Sequence, residues 1–307
     1  MKHRMLKLAL ASSAALAAVA PAQADTYAAT RYPIVLAHGL LGFETALGID
    51  YFYGIAKDLR SHGATVYETE VSAVNSSDVR GEQFVSQLQQ ILAVSGAQKV
   101  NLIGHSQGNQ TIRYAAAALP GRVASVTSVD GVTFGSAVAD DILKLESTNS
   151  TVASVINGLL NAVGSIIDFV SGSSNLPQDA QASLTVLSSA GAAAFNARFP
   201  AGVPSTPCAQ GAASVNGVNY YSWTGIGVTT NWLDISDLAM ALTSTAFGKT
   251  PNDGLVAQCA AHLGAVIRDD YAMNHLDAVN QVLGLVGKTD PVALFRQQAN
   301  RLKLAGL

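Results

Sequence analysis

The sequence predicts an α/β domain in which a mainly parallel sheet is covered by helices on both faces. Short, fully apolar segments recur along the chain, and segments with helical periodicity separate them. The chain has 307 residues, of which 49% are hydrophobic, so it can build one large core. The predicted strands cover residues 33–37, 64–71, 100–103, 123–129, 218–223 and 265–267. The clearest helical patterns between them cover residues 81–94 and 109–119.

The N-terminal segment is typical of a secretory signal peptide. It has three basic residues among the first seven, an apolar run over about residues 8–20, and an Ala-Gln-Ala cleavage pattern at residues 22–24. The apolar run is short for a bilayer span, and an uncleaved membrane anchor is the alternative. We therefore predict a signal peptide at residues 1–24 and an exported domain at residues 25–307.

The charge of the chain argues against nucleic acid as a partner. It carries 18 Lys plus Arg against 21 Asp plus Glu, and no basic patch is visible. Charged residues make up only 13% of the chain, which suits a surface that meets apolar material.

Two cysteines, Cys208 and Cys259, are present. An exported protein meets an oxidising compartment, so the pair is expected to be bridged, and two buried free thiols are the alternative. A bridge closing a loop of about 50 residues would stabilise the fold by roughly 4 kcal/mol on the chain-entropy model. Their spacing excludes a CxxC redox site and a zinc cluster.

One long segment, from about residue 136 to residue 174, has no strand signal. Between Val152 and Val170 apolar residues recur at helical spacing, and Asp168 is the exception to an almost uncharged stretch. Such a helix is either an ordinary core helix or a mobile lid over an acyl-binding cleft. Both interpretations stay open at this point.

The motif Gly104-His105-Ser106-Gln107-Gly108 fits the pattern G-x-S-x-G. A predicted strand precedes it and a helical run follows it, which is the context of a tight, strained turn that lifts a serine hydroxyl above a sheet. The N-terminus of the following helix would point backbone N–H groups at a developing oxyanion. We therefore predict that Ser106 is a nucleophile.

A serine nucleophile needs a base, and the base needs a carboxylate that orients it. In this type of fold the acid and the histidine follow the serine, which leaves His262 and His275 as candidate bases. His275 follows the last predicted strand, on the side where parallel sheets carry active sites, and is therefore favoured. Asp253 lies in an Asn-Asp-Gly turn that can present its carboxylate. On the residues alone the acid stays open among Asp130, Asp234, Asp237 and Asp253.

A second oxyanion donor is expected from the loop after the first strand, residues 38–43, which read His-Gly-Leu-Leu-Gly-Phe. Gly39 would let the backbone approach the substrate carbonyl, and the N–H groups of Leu40 and Gln107 are the natural pair. Losing one such donor typically costs roughly 3 kcal/mol of transition-state stabilisation.

Four blocks in this order resemble the secreted true lipases of Gram-negative bacteria, the Pseudomonas-type lipases of subfamily I.1. They are residues 38–43, 104–108, 252–256 (Asn-Asp-Gly-Leu-Val) and 274–277 (Asn-His-Leu-Asp). The likeness runs from about Tyr32 to the C-terminus, and the two cysteines stand in matching places. The resemblance implies an α/β-hydrolase fold, Asp253 as the acid, His275 as the base, and a disulfide between Cys208 and Cys259.

The resemblance also implies a structural calcium ion near the histidine loop. Its ligands would be the carboxylates of Asp234 and Asp277 and the backbone carbonyls of Gln281 and Leu285, which are the hard oxygen donors that calcium prefers. It further implies a lid helix over about residues 149–171, a membrane-tethered steric chaperone (a lipase-specific foldase), and export to the extracellular medium after periplasmic folding. Gln107 stands where some relatives carry histidine.

We therefore expect hydrolysis of long-chain acylglycerols at an oil–water interface by a monomer that forms an acyl-enzyme on Ser106. A non-interfacial carboxylesterase or polyester hydrolase is the alternative with the same chemistry. A secreted binding or adhesion protein with an inactive hydrolase fold is the alternative from another class. The complete set of Ser106, Asp253 and His275 argues against it.

Overall fold

The computed structural model describes residues 25–149 and 176–307. The predicted signal peptide and most of the predicted lid segment, including its apolar run, lie outside the described residues. None of the helices within the described ranges is long and apolar enough to cross a membrane.

The strands are short, as the brief apolar runs predict. In the described residues they are β1 (Ile34–Ala37), β2 (Thr45–Ala46), β3 (Ile49–Asp50), β4 (Val66–Thr69), β5 (Val100–His105), β6 (Val123–Val129), β7 (Ser214–Val215), β8 (Val218–Gly225) and β9 (Ala265–Tyr271). One sheet runs in the order β4-β1-β5-β6-β8, and β9 and β7 both pair with β8. All of its pairings are parallel except that of β7, and β2 and β3 form a separate antiparallel pair.

Helices connect the parallel strands, because a parallel pair cannot be joined by a tight turn. The described helices are α1 (Ile55–Ser61), α2 (Ser77–Ser95), α3 (Gly108–Ala118), α4 (Ala137–Thr148), α5 (Ala180–Leu187), α6 (Ser189–Arg198), α7 (Ser236–Ser244) and α8 (Pro291–Leu304). Local sequence sets their ends: the Ser76 side chain caps α2 by accepting from the Val79 N–H at 3.2 Å, and Gly96 ends it in a left-handed conformation.

Both faces of the sheet are covered. Successive side chains of a strand point to opposite faces, so Ile34 and Leu36 of β1 pack into one cluster with apolar residues of α1 and α8. Val35 and Ala37 pack into a second cluster with apolar residues of α2 and α3. The predicted α/β architecture with a covered, mainly parallel sheet is therefore confirmed.

All six predicted strands are present, and the boundaries of β6 are those predicted. β2, β3 and β7 were not predicted, because two-residue strands leave no periodic signal. Within the predicted strandless segment, residues 136–149 contain α4 and no strand. The carboxyl ends of β1, β5 and β6 lead directly into His38, Ser106 and Asp130, so one edge of the sheet gathers most of the residues that the sequence marks as chemical.

Candidate active site

Ser106 stands on the turn between β5 and α3 with φ of +56°, a left-handed conformation that non-glycine residues rarely adopt. A Cβ atom at Gly104 would collide with the backbone of Gly108, and one at Gly108 would collide with the carbonyl oxygen of Ala37. Both glycines of the motif are therefore required for the close approach of strand and helix. The Ser106 N–H donates to the Val129 carbonyl at 3.0 Å and ties the turn to β6.

Asp253 and His275 lie side by side in the loops before and after β9. The His275 Nδ1–H donates to Asp253 Oδ2 at 2.7 Å, and the His275 backbone N–H donates to the Asp253 carbonyl at 2.9 Å. The other carboxylate oxygen of Asp253 accepts from the N–H groups of Leu255 and Val256 at 2.8 and 2.7 Å. The structure thus brings together the acid and the base that the resemblance implies, and fixes the direction in which the imidazole faces.

Ser106 and His275 open into one cavity of about 430 Å³. Its walls are mostly apolar, with side chains from the loop after β1, from α4, from the end of α5, from α7 and from the loop after Asp253. They include Leu40, Val138, Ile142, Leu187, Met240 and Leu255. Because α4 supplies part of this wall, the described part of the predicted lid segment borders the cavity. Such a space suits an apolar chain that ends in a reactive polar group.

Opposing effects act on the proton affinity of His275. Burial lowers its pKa, but the charge and hydrogen bond of Asp253, together with the charge of Asp130, outweigh burial and leave the pKa above its ordinary value. An imidazole in this environment is well placed to take up a proton, because the resulting cation is paired at once with Asp253.

The backbone N–H groups of Leu40 and Gln107 donate to no acceptor among the described residues. The neighbouring Leu41 N–H, by contrast, is taken by the Ala73 carbonyl at 2.8 Å. A Cβ atom at Gly39 would stand 2.7 Å from the Ser106 Cβ, so only glycine allows this loop to lie against the nucleophile. The Gln107 side chain points elsewhere and donates to the Asn75 carbonyl at 2.8 Å. Two unused donors therefore flank Ser106.

A hydrogen-bonded chain that the sequence did not reveal links the loop at Gly39 to the loop at His275. The Gly39 N–H donates to the Tyr51 hydroxyl at 3.2 Å, and the Tyr51 hydroxyl and His105 Nδ1 are 2.7 Å apart. His105 Nε2 lies 3.0 Å from the His275 carbonyl, which can only accept, so Nε2 carries the proton and Nδ1 accepts from Tyr51. Burial and the charge of His275 hold the pKa of His105 well below its usual range, so His105 is neutral.

Arg80 is a second residue that sequence reasoning missed. It is fully buried in α2, and its guanidinium donates to the carbonyls of His38 at 2.6 Å, Gly39 at 3.0 Å and Ser72 at 2.6 Å. No carboxylate in the part of the chain that the structure describes forms an ion pair with it. Burial lowers its pKa to about 9, which still leaves it charged at neutral pH. A positive charge therefore braces the loop that presents the Leu40 N–H, and nothing local in the sequence marks it.

The other residues considered as base or acid have hydrogen-bond partners other than Asp253 and His275. His262, the alternative base, pairs through Nε2 with Asp269 at 3.0 Å. Asp237 accepts from the Thr230 and Asn231 N–H groups at 2.7 and 2.9 Å. Asp130 lies close to His275.

Cys208 and Cys259 form the expected disulfide, with a sequence separation of 51 residues. Cys259 lies six residues after Asp253, so the bridge restrains the loop that carries the acid.

The residues predicted to hold a metal include two buried carboxylates with unused oxygens. Asp234 Oδ2 and Asp277 Oδ1 contact no hydrogen-bond donor in residues 25–149 and 176–307. Burial, together with the charges of Asp234 and Asp237, raises the pKa of Asp277 to about 6. Unused carboxylate oxygens in mutually repulsive surroundings are what a cation site requires. No described residue donates to the backbone carbonyls of Gln281 and Leu285.

Comparisons with known proteins agree with the observed fold. Residues 32–298 match the profile of the family described as alpha/beta hydrolase fold. The chain is 54% identical over 283 residues to a triacylglycerol lipase of Vibrio cholerae, covering 92% of this chain and 90% of that protein. It is 44% identical over 338 residues to a triacylglycerol lipase of Burkholderia plantarii, covering 97% and 92%. The crystal structure of Bacillus licheniformis lipase BlEst2 in mature form superposes with a TM-score of 0.59 at 16% identity, covering 93% and 95%, and is similar in fold.

Proposed function

Since this chain belongs to the α/β hydrolases and, within them, to the family of bacterial triacylglycerol lipases, we propose that it hydrolyses the carboxylic esters of long-chain acylglycerols. The observation that carries the proposal is the apolar cavity into which Ser106 and the Asp253-paired His275 both open. A soluble polar ester would have little to gain from such walls, whereas an acyl chain would lose its contact with water there.

The proposed reaction begins when His275 removes the Ser106 proton and the serine oxygen attacks the ester carbonyl carbon. The N–H groups of Leu40 and Gln107 stabilise the oxyanion of the tetrahedral intermediate. The glycerol alcohol leaves with the proton from His275, and the acyl group stays on Ser106. Water then attacks the acyl-enzyme by the same route and releases the fatty acid. Asp253 keeps Nδ1 protonated throughout, so Nε2 is the nitrogen that exchanges protons with the reacting oxygens.

We further propose that Asp234 and Asp277, with the backbone carbonyls of Gln281 and Leu285, hold a calcium ion. When bound, the ion would supply positive charge that neutralises the two carboxylates and joins the segments that carry them. Asp277 lies two residues after His275, and its Oδ2 already accepts from the Asn274 N–H at 3.1 Å. Restraining Asp277 therefore restrains the base. The support for this site is the pair of unused buried carboxylate oxygens.

An exposed apolar surface supports action at a lipid–water interface. Trp232 is 89% exposed and Ile235 is 84% exposed in the segment before α7, and Leu238 and Leu242 lie exposed on α7 itself. Met240 of the same helix lines the cavity. Large exposed apolar side chains mark sites that meet apolar partners, and tryptophan suits a water–lipid boundary. We propose that this surface, defined by Trp232, Ile235, Leu238 and Leu242, sits on the substrate droplet.

The composition of residues 1–24 supports the proposal that the protein is exported before it acts. The lid over residues 136–174, the steric chaperone and the monomeric state remain predictions that follow from the sequence and the resemblance.

The nucleophile is tested by Ser106→Ala assayed on emulsified triolein and by labelling with a fluorophosphonate probe. We expect activity to fall by about 10⁶-fold, to the detection limit, and labelling to disappear. Ser125→Ala is the matched control, since Ser125 is a buried serine whose hydroxyl donates to Asn101 within the sheet, and it should keep both signals. Triolein hydrolysis that survives in Ser106→Ala would remove the assignment.

The substrate class is tested by comparing rates on tributyrin below and above its solubility limit with rates on triolein. A lipase of the proposed kind accelerates when droplets form and hydrolyses triolein. Simple saturation on dissolved tributyrin without triolein hydrolysis would favour the non-interfacial carboxylesterase instead.

A further inference from the structure

Asp130 is a buried carboxyl group beside the proposed base His275, and it has no role in the proposed ester hydrolysis. It is the first residue after β6, with φ of +44°, and its backbone N–H donates to the Trp223 carbonyl at 3.1 Å. Its Oδ1 accepts from the Gly225 N–H at 2.8 Å, so β8 holds the side chain in place. Its Oδ2 has no hydrogen-bond partner among the residues that the structure describes.

Two histidines, His105 and the proposed base His275, lie close to the Asp130 carboxyl group. One carboxylate oxygen of Asp130, one ring nitrogen of His105 and one ring nitrogen of His275 all lie within 4.8 Å of one another. These residues do not suit a metal ion, because His275 Nδ1 is bonded to Asp253 and both nitrogens of His105 have partners. A movement of at most about 2 Å would therefore bring the Asp130 carboxylate to hydrogen-bond distance from a nitrogen of the His275 ring.

The carboxyl groups of Asp130 and Asp253 therefore both lie close to the imidazole of His275. Burial and the negative charge of Asp253 raise the pKa of Asp130 to about 8, while His275, Thr224 and Gly225 act in the opposite direction. At neutral pH Asp130 is then mostly protonated. Removing the charge of Asp253 removes one of the two causes of this increase, so Asp130 would ionise more readily when His275 has lost Asp253 as its partner.

We propose that Asp130 is a second positioning carboxyl for His275, which supports the imidazole alongside Asp253 and takes over its orientation when Asp253 is absent. The proposal rests on the proposed function, because it needs His275 to be the base. It gives a role to a buried, half-satisfied carboxyl that would otherwise be costly to keep next to Asp253.

The test is a double-mutant cycle measured as kcat and KM on a soluble p-nitrophenyl butyrate substrate. Losing a lone acid from a Ser-His-Asp site typically lowers kcat by about 10⁴-fold. With Asp130 in reserve we expect Asp253→Ala to lower kcat by only about 10²-fold, with KM nearly unchanged, because substrate contacts are intact. Asp130→Asn alone should lower kcat less than about threefold, yet in the Asp253→Ala background it should remove roughly a further 10²-fold.

Ser125→Ala provides the matched control, since it truncates a buried polar side chain of β6, the strand that directly precedes Asp130, and it should have the same small effect in both backgrounds. An Asp130→Asn effect of equal size in both backgrounds would overturn the proposal, as would an Asp253→Ala variant no more active than Ser106→Ala. If Asp253→Ala does not fold, Asp253→Ser, which can still accept from the Leu255 and Val256 N–H groups, replaces it. Fluorophosphonate labelling of the unmodified enzyme checks the nucleophile separately, so failure of the proposed function would be recognised by itself.

Discussion

Replacing Tyr51 by phenylalanine removes one hydroxyl group and leaves the ring in place. That hydroxyl accepts from the Gly39 N–H at 3.2 Å and donates to His105 Nδ1 at 2.7 Å. In Tyr51→Phe the chain from Gly39 to the His275 carbonyl is therefore cut in the middle. Both former partners are buried, so the substitution leaves two polar groups of the interior without this hydrogen-bond partner.

The expected loss of stability follows from those two contacts. A buried polar group left without its partner typically costs about 1–3 kcal/mol, and part of this is recovered by relaxation, so we expect unfolding to become easier by about 2 kcal/mol. For a domain of this size that corresponds to a decrease in Tm of roughly 4–8 °C.

The expected loss of activity follows from the position of Gly39 directly before Leu40. A freed loop presents the Leu40 N–H less accurately, and losing one oxyanion donor altogether lowers kcat by about 10²–10³-fold. We therefore expect Tyr51→Phe to lower kcat by about tenfold with little change in KM, because the donor is loosened rather than removed.

The assay is kcat and KM on p-nitrophenyl butyrate together with a thermal melt. Tyr220→Phe is the control, since Tyr220 is a buried tyrosine of β8 that lies outside the cavity of Ser106, and it should leave kcat unchanged. A Tyr51→Phe variant with wild-type kcat and a lowered Tm would show that the chain contributes to stability alone, and would refute the coupling of the two loops.

Three further outcomes are expected. Trp232→Ser with Ile235→Ser should lower the rate on emulsified triolein by at least about tenfold and leave dissolved p-nitrophenyl butyrate unaffected, because each apolar side chain buried at a lipid surface contributes roughly 1.5–3 kcal/mol to adsorption. Equal losses on both substrates would contradict a docking role. A strong chelator should lower the Tm of the wild type but not of Asp277→Asn, and elemental analysis should find one calcium ion per chain. Replacing Cys208 and Cys259 by serine should cost roughly 4 kcal/mol of stability on the chain-entropy model, measured by urea unfolding, and an unchanged midpoint would exclude a stabilising role.

Much of the architecture could be predicted because it depends on short-range pattern. The strand leading to His38 is a continuous apolar run, and the strands leading to Ser106 and Asp130 are rich in apolar and β-branched residues, which is typical of buried parallel strands. The serine turn was also readable, since Gly104 and Gly108 satisfy a steric requirement within five residues. The two-residue strands β2, β3 and β7 were not predicted, because their pairing depends on neighbours rather than on periodicity.

The acid of the proposed triad could not be identified from the residues alone. On the residues alone the acid stayed open among Asp130, Asp234, Asp237 and Asp253, although Asp253 lies in a turn that can present its carboxylate, and the family resemblance favoured Asp253. The structure distinguishes the four aspartates by their hydrogen bonds. In the described residues only Asp253 accepts a hydrogen bond from His275 Nδ1, at 2.7 Å, whereas Asp234 has a carboxylate oxygen without a partner close to Asp277.

By itself, the sequence determined the fold class, the nucleophilic turn, the favoured base and the two cysteines, because each of these rests on local spacing or on residue counts. Only the tertiary structure decided the roles that require distant segments to meet. Arg80 contacts the loop of Gly39 from a helix about 40 residues away, the Tyr51 hydroxyl contacts His105, and Asp130 approaches His275 from the turn after β6. Hydrogen bonds and charges act over a few ångströms in space, whatever the distance along the chain, so these contacts leave no mark on the sequence around any one of them.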